Sequence, residues 1–190
     1  MKRFCAMALA VVMVISMLPM SVFAASMSEQ YAAANFTVIA EDHSTLAPGV
    51  TLDELVAYNK NNQRVEMYVT TVDMSVDTVQ VKANYLNNQN DEFGMQTLSE
   101  QVAAMEKNYP EPFKIVAGIN ASYYNTTTGQ PTGAFVMEGK DASAAGDDYA
   151  FFAVLKDGTY MIGAKGEYSK YKDQMQEAIG GYIHIVKDGK

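Results

Sequence analysis

The chain has 190 residues, with 14 Lys and Arg against 22 Asp and Glu, a formal net charge of −8 and one cysteine. No Lys/Arg cluster beyond isolated pairs follows residue 24, which excludes a polyanion bound by phosphate neutralisation, so nucleic acid is not an expected partner. A single cysteine excludes an internal disulfide framework and a cysteine zinc site.

Lys2 and Arg3 precede an apolar run from Phe4 to Leu18, then Pro19 and the small-residue site Val22-Phe23-Ala24. This order predicts a secretory signal peptide over residues 1–24. The run is shorter than the ~20 residues of a spanning helix, so no stable membrane span is expected after cleavage. Cleavage removes Cys5 and leaves 166 residues, with twelve basic side chains against 22 acidic ones. That length suits one domain with its own core. An exported chain without disulfides points to a secreted or extracytoplasmic protein of a bacterial cell envelope.

Residues 25–44 read as a flexible leading segment, small and polar at first, with a strand-like patch at Phe36, Val38 and Ile39 and a polar break at Glu41–Ser44. Ala47-Pro48-Gly49 is a turn by composition. Val50–Tyr58 is expected to be a strand, Asn59–Gln63 a turn, and Val65–Val72 a strand from its period-two alternation. Thr78–Tyr85 alternates in the same way and predicts an antiparallel partner. The Asn/Asp-rich stretch Leu86–Phe93 is a loop. Thr97-Leu98-Ser99-Glu100 has the form of a capping box, so a helix should begin there and stop before Pro110. Glu100 also has the chemistry of a catalytic acid, but capping is a sufficient account of it.

Later, Tyr149–Leu155 and Thr159–Gly163 flank Lys156-Asp157-Gly158, a hairpin signal. Glu167–Ile179 carries Tyr168, Tyr171, Met175 and Ala178 at helical spacing, with Gly180-Gly181 as a stop, which predicts a second helix. Tyr182–Val186 alternates again and runs into Asp188-Gly189 with no return strand, which predicts an incomplete, C-terminally truncated domain over residues 45–190.

The stretch Lys114–Gly139 draws most attention. Ile115, Val116, Ala117 and Ile119 read as a strand buried on both faces, ending at Asn120. Ser122, Tyr123, Tyr124, Asn125, three threonines, Gly129 and Pro131 follow as a loop, and Gly133–Met137 resumes strand character. Asn120-Ala121-Ser122-Tyr123-Tyr124, Pro131-Thr132-Gly133 and Glu138-Gly139-Lys140 resemble the phosphodiester glycosidases, whose pattern is a strand ending in Asn-Gly-Gly-Phe-Phe, a loop, Pro-x-Gly, a strand and a Gly-Lys turn. Ala121 and Ser122 stand in place of the two glycines. The flanks agree from about Thr45 onward, while the family's later arginine-containing strand and Asp-Gly-Gly-Gly-Ser segment are missing.

The periodicities together predict an α+β fold, a mixed and mainly antiparallel sheet with two helices. The resemblance implies an exported hydrolase that cleaves a glycosyl phosphodiester, a sugar-1-phosphate diester of N-acetylglucosamine type, in an envelope or extracellular glycan. It implies a catalytic role for Asn120, which by itself reads as a turn-forming residue. Ser122, Tyr123, Tyr124, Thr132 and Gly133 are the implied substrate-binding residues, as donors to phosphate or as a ring against a sugar face. Glu138 and Asp141 read either as site carboxylates or as turn residues. His43 and His184 have neither metal spacing nor a neighbouring nucleophile. No cofactor is implied; Asp residues with loop carbonyls could hold a divalent cation, but no EF-hand loop occurs. The other reading is a non-catalytic cell-surface carbohydrate or cell-wall binding module.

Overall fold

The computed structural model describes residues 29, 31–32, 35–89, 92–109 and 111–182. The signal peptide, His184, the rest of the expected terminal strand after Tyr182 and the expected truncation lie outside the described residues. Among the described residues the named elements make an α+β fold, with two antiparallel sheets and two helices.

Strands β1 (Thr37–Ala47), β2 (Val50–Tyr58) and β3 (Arg64–Val72) form a three-stranded sheet in that order. The expected turn at Pro48-Gly49 joins β1 to β2, with Gly49 at φ +80°. The next turn is organised by Asn59, whose side-chain oxygen accepts from the Asn61 and Gln63 N–H groups at 2.9 and 3.0 Å. The leading segment read as flexible over residues 25–44 is, from Thr37 onward, part of strand β1, which runs through Glu41–Ser44. β1 is an edge strand exposed along nearly its whole length, so charged side chains extend into water without desolvation. On β2, Asp53, Leu55 and Ala57 are buried at period two, and Asp53 Oδ1 lies 2.6 Å from His43 Nδ1.

Helix α1 (Leu98–Asn108) begins as its sequence dictates. The Thr97 hydroxyl accepts from Glu100 N–H at 3.3 Å, and the Glu100 carboxylate accepts from Thr97 N–H at 2.9 Å. The Thr97 hydroxyl also donates to the Glu100 carboxylate at 2.7 Å, and this bond first and the one from Thr97 N–H second hold the Glu100 carboxyl below its ordinary pKa, as suits an ionised cap.

The second sheet contains β4 (Phe135–Met137), β5 (Lys140–Asp141), β6 (Phe151–Leu155), β7 (Tyr160–Gly163) and β8 (Met175–Gly180), in the order β5-β4-β8-β6-β7. Every pair is antiparallel. The β4–β5 turn places Glu138 and Gly139 at φ +52° and +75°, the two positive values a tight hairpin requires. At the β6–β7 turn, Asp157 accepts from the Thr159 N–H and hydroxyl at 2.9 and 2.6 Å.

Three expectations are corrected. Helix α2 (Tyr168–Tyr171) and a 3-10 turn (Lys172–Gln174) stop well short of Ile179, and Met175–Gly180 is instead the central strand. Pairing on both sides, with Phe152 and Phe135 each opposite Ile179, outweighs the local helical spacing from Tyr168 to Ala178. Thr78–Tyr85 forms no strand and does not pair with β3. Its Ala83 N–H bonds the Glu177 carboxylate at 3.2 Å instead of a ladder carbonyl. Ile115–Ile119 is likewise not a strand, and Ile119 is 85% exposed.

The chain divides into two compact units. The first contains Asp53–Val69 and the described residues up to Ser44; the second contains Thr45–Leu52 and the residues from Thr70 onward. In the second unit the core lies on both faces of the five-stranded sheet. Ala134, Val136, Phe151, Ala153, Tyr168, Met175 and Ala178 fill one cluster, and Phe135 and Met137 alternate into another with Ala83. Double burial explains why β6 reads as an unbroken apolar run.

The Phe151 and Tyr168 rings meet edge to face at 5.7 Å. Each packs closely against a glycine, since a Cβ on Gly163 would fall 2.0 Å from the Phe151 ring and one on Gly146 2.2 Å from the Tyr168 ring. Gly163→Ala is therefore expected to displace Phe151 and cost roughly 1–3 kcal/mol. Thermal melts followed by circular dichroism check this, the expected loss being about 2–4 °C per kcal/mol at this chain length.

Candidate functional site

The loop after Asn120 belongs to the second unit and is built by its own polar groups. Ser122 adopts φ +69°, and its hydroxyl donates to the Gly180 carbonyl at 2.9 Å, which ties the loop to the end of β8. The Tyr123 carbonyl accepts from both the N–H and the hydroxyl of Thr132, at 2.9 and 2.8 Å. Tyr124 bridges Pro131, and Asn125 N–H donates to the Gln130 carbonyl at 2.8 Å. Asn125 Oδ1 accepts from the N–H groups of Thr127 and Thr128. These contacts fold the stretch into a hairpin-like excursion with its tip at the threonines.

Gly129 anchors the far side. It sits at φ +79°, and a Cβ there would fall 2.0 Å from the Gly94 carbonyl oxygen. The Tyr85 hydroxyl bridges both segments: it accepts from Gly94 N–H at 3.2 Å and can donate to the carbonyl of Gly94 at 2.9 Å or to that of Gly129.

The residues expected at the site divide by orientation. Ser122 and Thr132 turn their hydroxyls to backbone carbonyls, and Gly133 is buried where its backbone approaches Gly180. Asn120, Tyr123 and Tyr124 face solvent, the two tyrosines at 65% and 51% exposure. Asn120 makes no side-chain hydrogen bond among the described residues.

Two tyrosines that sequence reasoning did not place here complete the surface. The β6–β8 ladder continues past its strands through Gly181 N–H donating to the Ala150 carbonyl at 2.7 Å. Tyr149 and Tyr182 flank that bond and stack across it, with centroids 5.6 Å apart and planes at 27°. Tyr182 also meets Tyr123 at 5.5 Å and 61°. The signal that could have found them is the register of Gly180 opposite Phe151, which requires β8 to be recognised as a strand.

Glu138 and Asp141 take other positions. Asp141 accepts from Ser143 N–H at 2.8 Å. Burial pushes its carboxyl up, but the hydrogen bonds from Ser143 N–H, Ser143 hydroxyl and Tyr168 outweigh this and leave it below its ordinary value. Burial raises the Tyr168 phenol. Glu138 lies 3.2 Å from Lys82 Nζ, as part of a cluster in which Lys82 also sits 3.5 Å from Glu177 and 4.9 Å above the Tyr109 ring. Glu177 is 4% exposed, and its Oε2 accepts from the N–H groups of Ala83 and Glu138. Desolvation is the largest influence on it and raises its pKa despite the attraction of Lys82.

Among the described residues no three His, Cys, Asp or Glu side chains converge as a metal site. No described helix is long and apolar enough to cross a membrane. In the first unit, an open hollow of about 230 Å³ is lined by Glu41, Asp42, Glu54, Glu66 and Tyr68 among others, and contains none of the expected site residues. No protein-family model matches the chain, and no curated protein is similar to it.

A carboxyl whose folded pKa is raised favours folding most fully below its unfolded value, ordinarily 4.5, and loses that contribution as pH rises through the folded value. Urea melts of wild type and Glu177→Gln from pH 4 to 7 are expected to show this fall in the wild type and its absence in the variant. Gly129→Ala is expected to cost at least about 1–3 kcal/mol, because a left-handed backbone and a contact with a backbone carbonyl are both violated. A urea midpoint unchanged from wild type would contradict it.

Proposed function

We propose that the chain is an exported hydrolase of a glycosyl phosphodiester, acting on an envelope or extracellular glycan at the Asn120–Gly133 loop. The observation that carries this reading is that Asn120 and the Tyr123 ring are both exposed on one loop, whose backbone turns left-handed at Ser122 between them. That position is where the phosphodiester glycosidase pattern has glycine, so the loop retains a glycine-type conformation with a different side chain. Serine tolerates it because its hydroxyl is held by the Gly180 carbonyl.

In the proposed reaction, water attacks the anomeric carbon, the bond from that carbon to the bridging phosphate oxygen breaks, and the phosphate leaves as a monoester. The water's second proton passes to solvent. A phosphate leaves readily, so donors that stabilise its charge matter more than acid assistance. The Asn120 amide supplies such a donor, and the Tyr123 ring supports the sugar face.

The inward-turned hydroxyls of Ser122 and Thr132 favour a second reading, a non-catalytic carbohydrate-binding module, because they leave few outward polar groups for chemistry. The two readings separate in an assay of N-acetylglucosamine release from its methyl 1-phosphodiester. Asn120→Ala is expected to lower kcat by on the order of a hundredfold with the circular dichroism spectrum preserved. Absence of release by the wild-type chain overturns the hydrolase and leaves the binding module.

A further inference from the structure

The geometry points to a two-sugar binding corner made by Tyr123 and Tyr182 and backed by Tyr149, so that a glycan of at least two linked sugars is bound in preference to a single sugar. This rests on the reading of the Asn120–Gly133 loop as a glycan site. Tyr182 stacks on Tyr149, with centroids 5.6 Å apart, yet remains 59% exposed, so much of the ring away from Tyr149 reaches solvent. Tyr123, 65% exposed, meets it at 61°. Two flat faces at that angle cannot both lie against one pyranose ring. Each takes its own sugar, and the linkage between the two sugars bends through the corner.

Three features make this a built surface. Tyr182 is fixed by the Gly181–Ala150 backbone bond and by its cross-strand stack on Tyr149. Tyr123 is fixed by Thr132 on its carbonyl and by the neighbouring Ser122 tie to Gly180. None of the three phenol hydroxyls has a hydrogen-bond partner among the described residues, so each can donate to or accept from a sugar hydroxyl. Tyrosine suits this use, since it presents a broad rigid face with a polar tip and few rotatable bonds to order. The sugar bearing the phosphodiester lies at Tyr123, three positions from Asn120 on the same loop, and the next unit lies on Tyr182.

The test is calorimetric titration of the full chain with N-acetylglucosamine and its β-1,4-linked dimer and tetramer, and with mannose and its α-linked dimer. In at least one series the dimer is expected to bind about tenfold more tightly than the monomer, with little further gain for the tetramer. Tyr182→Ala should bring the dimer-to-monomer ratio near one, and Tyr182→Phe, which retains the face, should keep most of it. Both variants should retain the wild-type circular dichroism spectrum, since the ring is on the surface. Equal affinity for monomer and dimer, or a ratio unchanged in Tyr182→Ala, overturns the corner while leaving the glycan reading intact if Tyr123→Ala still abolishes monomer binding. Failure of every sugar to bind overturns both.

Discussion

The second unit depends on the pairing of β8 with two partners. Met175–Gly180 is hydrogen-bonded to β4 on one side and β6 on the other, so without it the sheet would separate into two hairpins, each too small to be stable in water. Its side chains serve both layers of the core, Met175 and Ala178 in one cluster and Ile179 against the other. The small residues have a reason. Ala178 lies opposite Ala153, and Gly180 approaches Gly133 closely, so the backbones can come together where a larger residue would hold them apart.

The same strand determines the electrostatics. Glu177 enters the interior because β8 is central, and its desolvation is only partly offset by Lys82 and by two backbone N–H groups that lack ladder partners. One of those groups belongs to Ala83. The carboxylate thus does for the Lys82–Tyr85 segment what a neighbouring strand would have done, and holds it in place without a ladder. Tyr85, at the end of that segment, then supports the loop through Gly94 and Gly129. A continuous physical path therefore runs from the central strand to the proposed site.

The loop also takes its orientation from β8, through Ser122 and the Gly180 carbonyl, and Tyr182 follows two residues beyond. Recognition by such a surface would come from rigid rings and preorganised backbone more than from charge. That fits an acidic chain whose proposed substrate carries phosphate, because repulsion leaves binding to a few local donors and to apolar sugar faces.

Local chemistry was legible wherever a few adjacent residues settle the matter. The Thr97–Glu100 box, the Asp157-Gly158 and Pro48-Gly49 turns, the alternation of β2 and β3 and the α+β class follow from side chains bonding their own backbone or choosing between two faces. The loop from Ser122 to Gly133 could be read for the same reason, as its threonines and Asn125 close on themselves. Only the tertiary structure decided the rest. The Glu167–Ile179 spacing suits a helix, but an exchange of ladder bonds with residues 20 to 44 positions earlier makes its second half a strand, and no local pattern records that. Val79, Val81 and Ala83 alternate like a strand yet form none: the Val79 N–H closes a turn on the Val76 carbonyl, and the Ala83 N–H goes to the Glu177 carboxylate. The placing of Tyr149 and Tyr182 beside Tyr123 follows from the same register. Sequence determined what each segment could do alone; long-range pairing decided which of those states gains enough hydrogen bonds and buried surface to persist.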